Sequence, residues 1–211
     1  MKSLIYLCVI LIFVSCYIDT SGDSKEWDKG VINNENAISI EYDGIVREYV
    51  LHVPDSYDSS ASVPLVLNFH GGGGTATGQR YLSSMDLVAD TAGFIIAYPQ
   101  GSNLSAGGSH WNSMIATEDN KSSTDDIGFI SFLIDQISSE YDIDLSKVYA
   151  CGYSNGADFS ISLACYLSNK ISAVAPVSGL MSSESDSLCN PEENIKILIF
   201  NGTSDSDRPY T

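Results

Sequence analysis

Residues 148–157, Val148-Tyr149-Ala150-Cys151-Gly152-Tyr153-Ser154-Asn155-Gly156-Ala157, constrain this chain more than any other stretch. A short apolar run passes through Gly-x-Ser-x-Gly and straight into a helical pattern. Such a strand-to-helix turn puts the serine on strained backbone with its hydroxyl exposed. Gly152 and Gly156 are needed because side chains there would collide with the tightly folded main chain. The same turn occurs in doubly wound proteins without chemistry. The strand before it and the helix after it make acyl transfer through Ser154 the reaction class to test.

The rest of the chain repeats the alternation of apolar strand and helix. Ile38 to Tyr42, Asp43-Gly44 and Ile45 to Val53 predict a β-hairpin with a type I′ turn. Residues 64–69 and 94–98 read as short apolar strands, the first ending in His70-Gly71-Gly72-Gly73-Gly74. A helix over about 79–91, closed by Gly93, lies between them. After a Gly/Ser/Asn-rich loop, Ser123-Thr124-Asp125-Asp126 has the form of a capping box. Ile127, Ile130, Ile134, Ile137 and Tyr141 then recur on one helical face. The elbow strand (147–151), a helix to about Leu167, and strands at 173–177 and 195–200 complete the order. This pattern predicts an α/β protein: a mostly parallel central sheet with an N-terminal antiparallel hairpin and helices on both faces. Ligands of such sheets bind at the C-terminal ends of the strands.

Three further groups bear on the chemistry. The Asn155 N–H, at the start of the helix, and backbone N–H groups of Gly71 and Gly72, on a loop that glycine lets approach closely, are candidate oxyanion donors. His70 and Trp111 are candidates for shaping the substrate loop, with His70 as a brace and not a base. Asp205 follows the 195–200 strand, where the acid of a Ser, Asp, His chain order belongs. The other two histidines, His52 in the hairpin and His110 beside Trp111, read as structural.

Composition narrows the classes. A formal net charge of −17, with ten scattered basic residues, argues against nucleic acid. Hydrophobic residues at 44% in a chain of 211 suit a folded domain with a real core. No Cys/His/Asp grouping has ligand spacing, so no metal is expected. Lys2 and the apolar run Leu4–Val14 predict a signal segment over residues 1–16, and Phe13-Val14-Ser15-Cys16 resembles a bacterial lipobox with Cys16 as the lipidation candidate. Residues 17–36 read as a polar tether and 37–211 as the folded domain. The expected location is secreted, or periplasmic or outer-membrane as a lipoprotein. Export permits a disulfide, for which Cys165 and Cys189 are the candidate pair, leaving Cys151 as a buried free thiol.

As an ordered set, six segments carry a family resemblance: Asn68-Phe69-His70-Gly71-Gly72-Gly73, residues 93–101, Trp111-Asn112, residues 125–129, Gly152-Tyr153-Ser154-Asn155-Gly156 and Asn201-Gly202-Thr203-Ser204-Asp205. Over about 38–210 the chain resembles the secreted α/β-hydrolase esterases. That group includes polyhydroxybutyrate depolymerase-like proteins, feruloyl esterases and acetyl xylan esterases (carbohydrate esterase family 1). The resemblance implies an α/β-hydrolase fold, Ser154 as nucleophile, Asp205 as triad acid and no cofactor. It implies an ester-bearing polysaccharide or a hydroxyalkanoate polyester as substrate. The family usually has histidine where Asn201 stands, and its catalytic histidine lies downstream of the acid, whereas all three histidines here precede Ser154. The expectation is a domain incomplete at its C-terminus, lacking the last strand, helix and histidine loop. Two other readings stay open: a catalytically inactive binding protein on a hydrolase scaffold, and a serine peptidase of the prolyl-oligopeptidase type, which shares the elbow.

Overall fold

The computed structural model describes residues 36–113 and 121–208. The signal segment, the tether up to residue 35 and the lipidation candidate Cys16 lie outside the described residues.

Strands β1 (Ile38–Tyr42) and β2 (Ile45–His52) form the antiparallel hairpin. Asp43 (φ 52°) and Gly44 (φ 71°) both take the left-handed backbone that a two-residue turn of this kind demands. β3 (Val63–Phe69) and β4 (Ile95–Pro99) follow, then a two-stranded ribbon of β5 (Ser102–Asn103) and β6 (Ser109–His110). β7 (Ile143–Tyr153), β8 (Ala173–Val177) and β9 (Lys196–Ile197) complete a seven-stranded sheet of order β1-β2-β4-β3-β7-β8-β9. β2 joins β4 antiparallel, and every pairing from β4 to β9 is parallel.

Both faces of the sheet are covered, because the strand period of two sends neighbouring side chains to opposite cores. Leu65, Leu67 and Phe69 of β3 join one core with residues of α3 (Asp126–Glu140) and α4 (Asn155–Tyr166). Val66 joins the other, with α1 (Ala76–Ser83) and α2 (Met85–Ala92). Each fully buried Leu, Ile or Phe stabilises the fold by roughly 1.5–3 kcal/mol, so both faces are strongly driven. α3 presents Ile127, Ile130, Ile134 and Ile137 to the core at the spacing read from the sequence, with Asp125 capping its N-terminus through the Gly128 N–H.

Four local features differ from expectation. The helix expected over 79–91 is two helices, broken at Ser84 (φ 49°), whose N–H closes α1 on the Arg80 carbonyl. The break turns the chain so that Met85, Val88 and Ala89 face the core while Leu87 faces solvent. The strand expected over 195–200 is regular only at β9, yet its ladder continues irregularly through Leu198 N–H to Val174 O (3.0 Å) and Phe200 N–H to Pro176 O (3.0 Å). A short helix, α5 (Ser183–Leu188), had no sequence signal. It is tied back to α4 by a disulfide between Cys165 and Cys189, with Cα atoms 5.1 Å apart. Cys151 lies outside any disulfide and is partly, not fully, buried.

Candidate active site

The elbow joins β7 to α4. Ser154 sits at φ 54°, ψ −122°, backbone that residues with a side chain avoid. Its N–H is held by the Val177 carbonyl on the neighbouring strand (3.0 Å), and its own carbonyl accepts from Ala157 (2.8 Å) and Asp158 (3.0 Å). The Asn155 N–H lies in the first turn of α4, where helix geometry gives it no intrahelical acceptor. A methyl group on Gly152 would stand 2.9 Å from the Phe69 carbonyl oxygen, and one on Gly156 2.5 Å from that of His70. The end of β3, the elbow and the start of α4 therefore pack main chain against main chain.

The glycine loop after β3 lies against this elbow. A Cβ on Gly71 would be 3.4 Å from the Ser154 Cβ, and Gly72 faces Asn155 and His110. The loop folds back through Gly74 N–H to Gly71 O (3.0 Å) and is tied to β6 by Gly73 N–H to Ser109 O (2.7 Å). His70 fixes it from beneath. Its Nε2 accepts from the Gly101 N–H (2.9 Å), so the ring proton sits on Nδ1 and is donated to the Gly71 carbonyl (2.7 Å). Burial holds its pKa down at about 4, so the ring is neutral. Trp111 donates its indole N–H to the His70 carbonyl (3.1 Å) and stacks on Phe159. His70 is 1% and Trp111 0% exposed, so both shape the loop from below.

Asn155 does more than its backbone implied. Its amide pairs with the main chain of Trp111 in both directions, Oδ1 accepting from the N–H (2.8 Å) and Nδ2 donating to the carbonyl (3.1 Å). The far side of that loop is anchored by Asp126, a buried carboxylate that accepts from Arg47 (2.7 Å), Ser102 (2.8 Å) and the Asn112 N–H (2.8 Å). Burial pushes its pKa up, and Arg47 opposes that shift.

On the other flank, Asn201 clamps Gly179 by the same two-way amide pairing (3.3 and 3.1 Å), and the loop after it carries Asp205. The Asp205 carboxylate accepts from the Arg208 and Asp207 N–H groups (both 2.9 Å) and from the Ser178 hydroxyl. These bonds, that of the Arg208 N–H first, hold its pKa below the usual carboxylate value. The Arg208 side chain reaches across to Asp158 on α4 (2.7 Å).

Between the flanks opens a cleft of about 340 Å³, lined by Gly72, His110, Ser154, Asn155, Asp158 and Arg208 among others. The structure thus gathers Ser154, Asn155 and Gly72 at one opening, with Gly71 in contact and Asp205 one loop away. His110 lines the wall, its pKa lowered to about 4 by burial and then by Lys121. His52 is remote, bonded to Asp90 (2.7 Å) on the outer face of α2. Sequence reasoning missed Asp158 and Arg208. The only hints were an acid in the first turn after the serine and a cation three residues beyond Asp205, and nothing in the sequence pairs positions 50 apart.

A serine on a left-handed turn between strand and helix, at the C-terminal edge of a mostly parallel sheet with an antiparallel hairpin, defines an α/β-hydrolase fold. Solved structures agree: an acetyl xylan esterase from Aspergillus awamori superposes with a TM-score of 0.62 at 18% identity, covering 78% of this chain and 70% of that one. Among curated proteins, a bifunctional acetylxylan esterase/xylanase of Neocallimastix patriciarum is 33% identical over 129 residues, 61% of this chain and 18% of its own. Feruloyl esterase B of Piromyces equi is 28% identical over 162 residues, 76% of this chain and 29% of its own. The chain therefore spans less than a third of the length of either relative. The family model described as esterase PHB depolymerase matches residues 47–197, and the chain belongs to that family.

Proposed function

We propose that this chain carries the nucleophile of an exported serine esterase acting on carboxylic esters, either feruloyl or acetyl groups on polysaccharide or a polyhydroxyalkanoate polyester. The observation that carries the reading is Ser154 on its strained elbow, with the Gly71–Gly72 loop on one side and the N-terminus of α4 on the other. In this reading the Ser154 hydroxyl attacks the ester carbonyl, and the carbonyl oxygen gathers charge against the N–H of Asn155 and one from the glycine loop. The alcohol leaves, and water releases the acyl group from Ser154. Asp205 orients the imidazole that takes the serine proton. His52 and His70 are bound elsewhere and His110 is held beside the Asn155 amide (3.4 Å), so the reading requires an imidazole other than these three. Export follows from the signal segment read over residues 1–16, and the family's esterase relatives support the substrate class. A fluorophosphonate probe on the full-length protein should label Ser154 and should fail to label Ser154→Ala; an unlabelled wild type overturns the reading.

A further inference from the structure

We propose that the ion pair between Asp158 and Arg208 is a positioning pair, setting where the acid loop stands relative to the nucleophile. The inference rests on Ser154 and Asp205 being nucleophile and acid. It goes beyond that assignment by naming what holds them in register.

A closed chain of contacts links the two. The Asp158 N–H donates to the Ser154 carbonyl at 3.0 Å, so this carboxylate hangs one hydrogen bond from the serine. Its Oδ2 accepts from Arg208 Nη2 at 2.7 Å, and its Oδ1 accepts from Arg208 Nε at 3.4 Å and from the Leu180 N–H at 2.8 Å. The Arg208 main chain in turn donates its N–H to Asp205 Oδ1 at 2.9 Å. One arginine therefore touches the acid with its backbone and the nucleophile helix with its side chain. One aspartate holds both loops that flank the cleft on that side. No other ion pair among the described residues joins the Asp205 loop to α4.

Two physical consequences follow. The guanidinium meets the carboxylate at two points while only 24% and 21% exposed, so the contact is directional and less screened than a surface pair. The charge of Asp158 is also cancelled at the wall of the cleft. Left alone, that carboxylate would oppose the negative charge that grows on the substrate oxygen near Ser154. Both effects act on the transition state and not on ground-state binding, so they belong in kcat.

The test uses the full-length protein, with rates normalised to the fraction of Ser154 that the fluorophosphonate probe labels. Arg208→Gln and Asp158→Asn should each lower kcat about 10- to 100-fold, the cost of misplacing a catalytic group by an ångström, with KM changed less than about twofold. The double variant should be no worse than either single one, because the two side chains act as one unit. Arg208→Lys, which keeps the charge and loses the fork, should recover only part of the rate, above that of Arg208→Gln, and guards against a loss due only to misfolding. Wild-type kcat in Arg208→Gln, additive losses in the double variant, or a change confined to KM would each overturn the pair's role while leaving the nucleophile standing. A wild type that the probe does not label overturns the nucleophile, and the pair with it.

Discussion

Gly156→Ala tests the packing on which the whole site rests. The added methyl group would overlap the Phe69 carbonyl oxygen and stand 2.5 Å from that of His70. A carbon–oxygen contact needs roughly 3.4 Å, so β3 and the start of α4 must part by about 0.9 Å. Neither opposing atom can swing away, since both are main chain. Overpacking of a well-packed core costs about 1–3 kcal/mol, and rigid opponents put this case at the upper end. For a domain of this size about 3 kcal/mol lowers the melting temperature by roughly 6–12 °C. A nucleophile displaced by close to an ångström should lose on the order of 100-fold in kcat. Differential scanning calorimetry and aryl-ester hydrolysis on the full-length protein measure the two effects. Gly202→Ala is the control, because its methyl group meets Asp205 Cβ at an ordinary 3.8 Å and should change stability by less than about 0.5 kcal/mol. A Gly156→Ala protein that melts within about 2 °C of wild type and hydrolyses at the same rate would refute the backbone-to-backbone argument.

Two other outcomes follow from the geometry. His70 is held near pKa 4 in the folded state against about 6.5 when unfolded, so the unfolded chain binds the extra proton between those values. Stability is then full above pH 6.5 and falls as pH drops toward 4, by on the order of 3 kcal/mol from His70, with a smaller share from half-exposed His110. An NMR titration that shows the His70 ring protonating near pH 6.5 in the folded protein would refute this. The bridge between Cys165 and Cys189 closes a loop of 24 residues' separation, for which chain entropy gives roughly 3.5 kcal/mol. Calorimetry with and without reductant should show a drop of several degrees, and coincident melting curves would count against the bridge as a stabilising element.

How much could be read in advance depends on whether the cause was local. The strand and helix order was legible because apolar runs and glycine punctuation act within a few residues, and the I′ turn at Asp43-Gly44 is the clearest instance. The position of Ser154 was legible for the same reason, as two glycines flank it. The break at Ser84 was not, because a serine in left-handed backbone carries no sequence mark and tertiary burial of Met85 forces it. The amide clamps of Asn155 and Asn201 were hidden because either residue passes equally well for a helix start or a loop polar group. The pairing of Asn201 with the Gly179 main chain gives that residue a structural role. The Asp158–Arg208 pair needed three dimensions, since it joins α4 to the loop after β9, 50 positions on.

The two-way pairing of Asn155 with Trp111 bears on how such a protein diversifies. The nucleophile turn and the base of the β5–β6 ribbon form one rigid block, further tied by Gly73 to Ser109. The tip of that ribbon closes on itself through Leu104 and Gly108 and ends in two glycines at φ 91° and 80°, the second lying against Gly73. Length and chemistry can therefore be exchanged at the tip without moving the serine. Selection, or a designer grafting new loops, has a handle at residues 104–107, clear of the bonds that hold the serine turn.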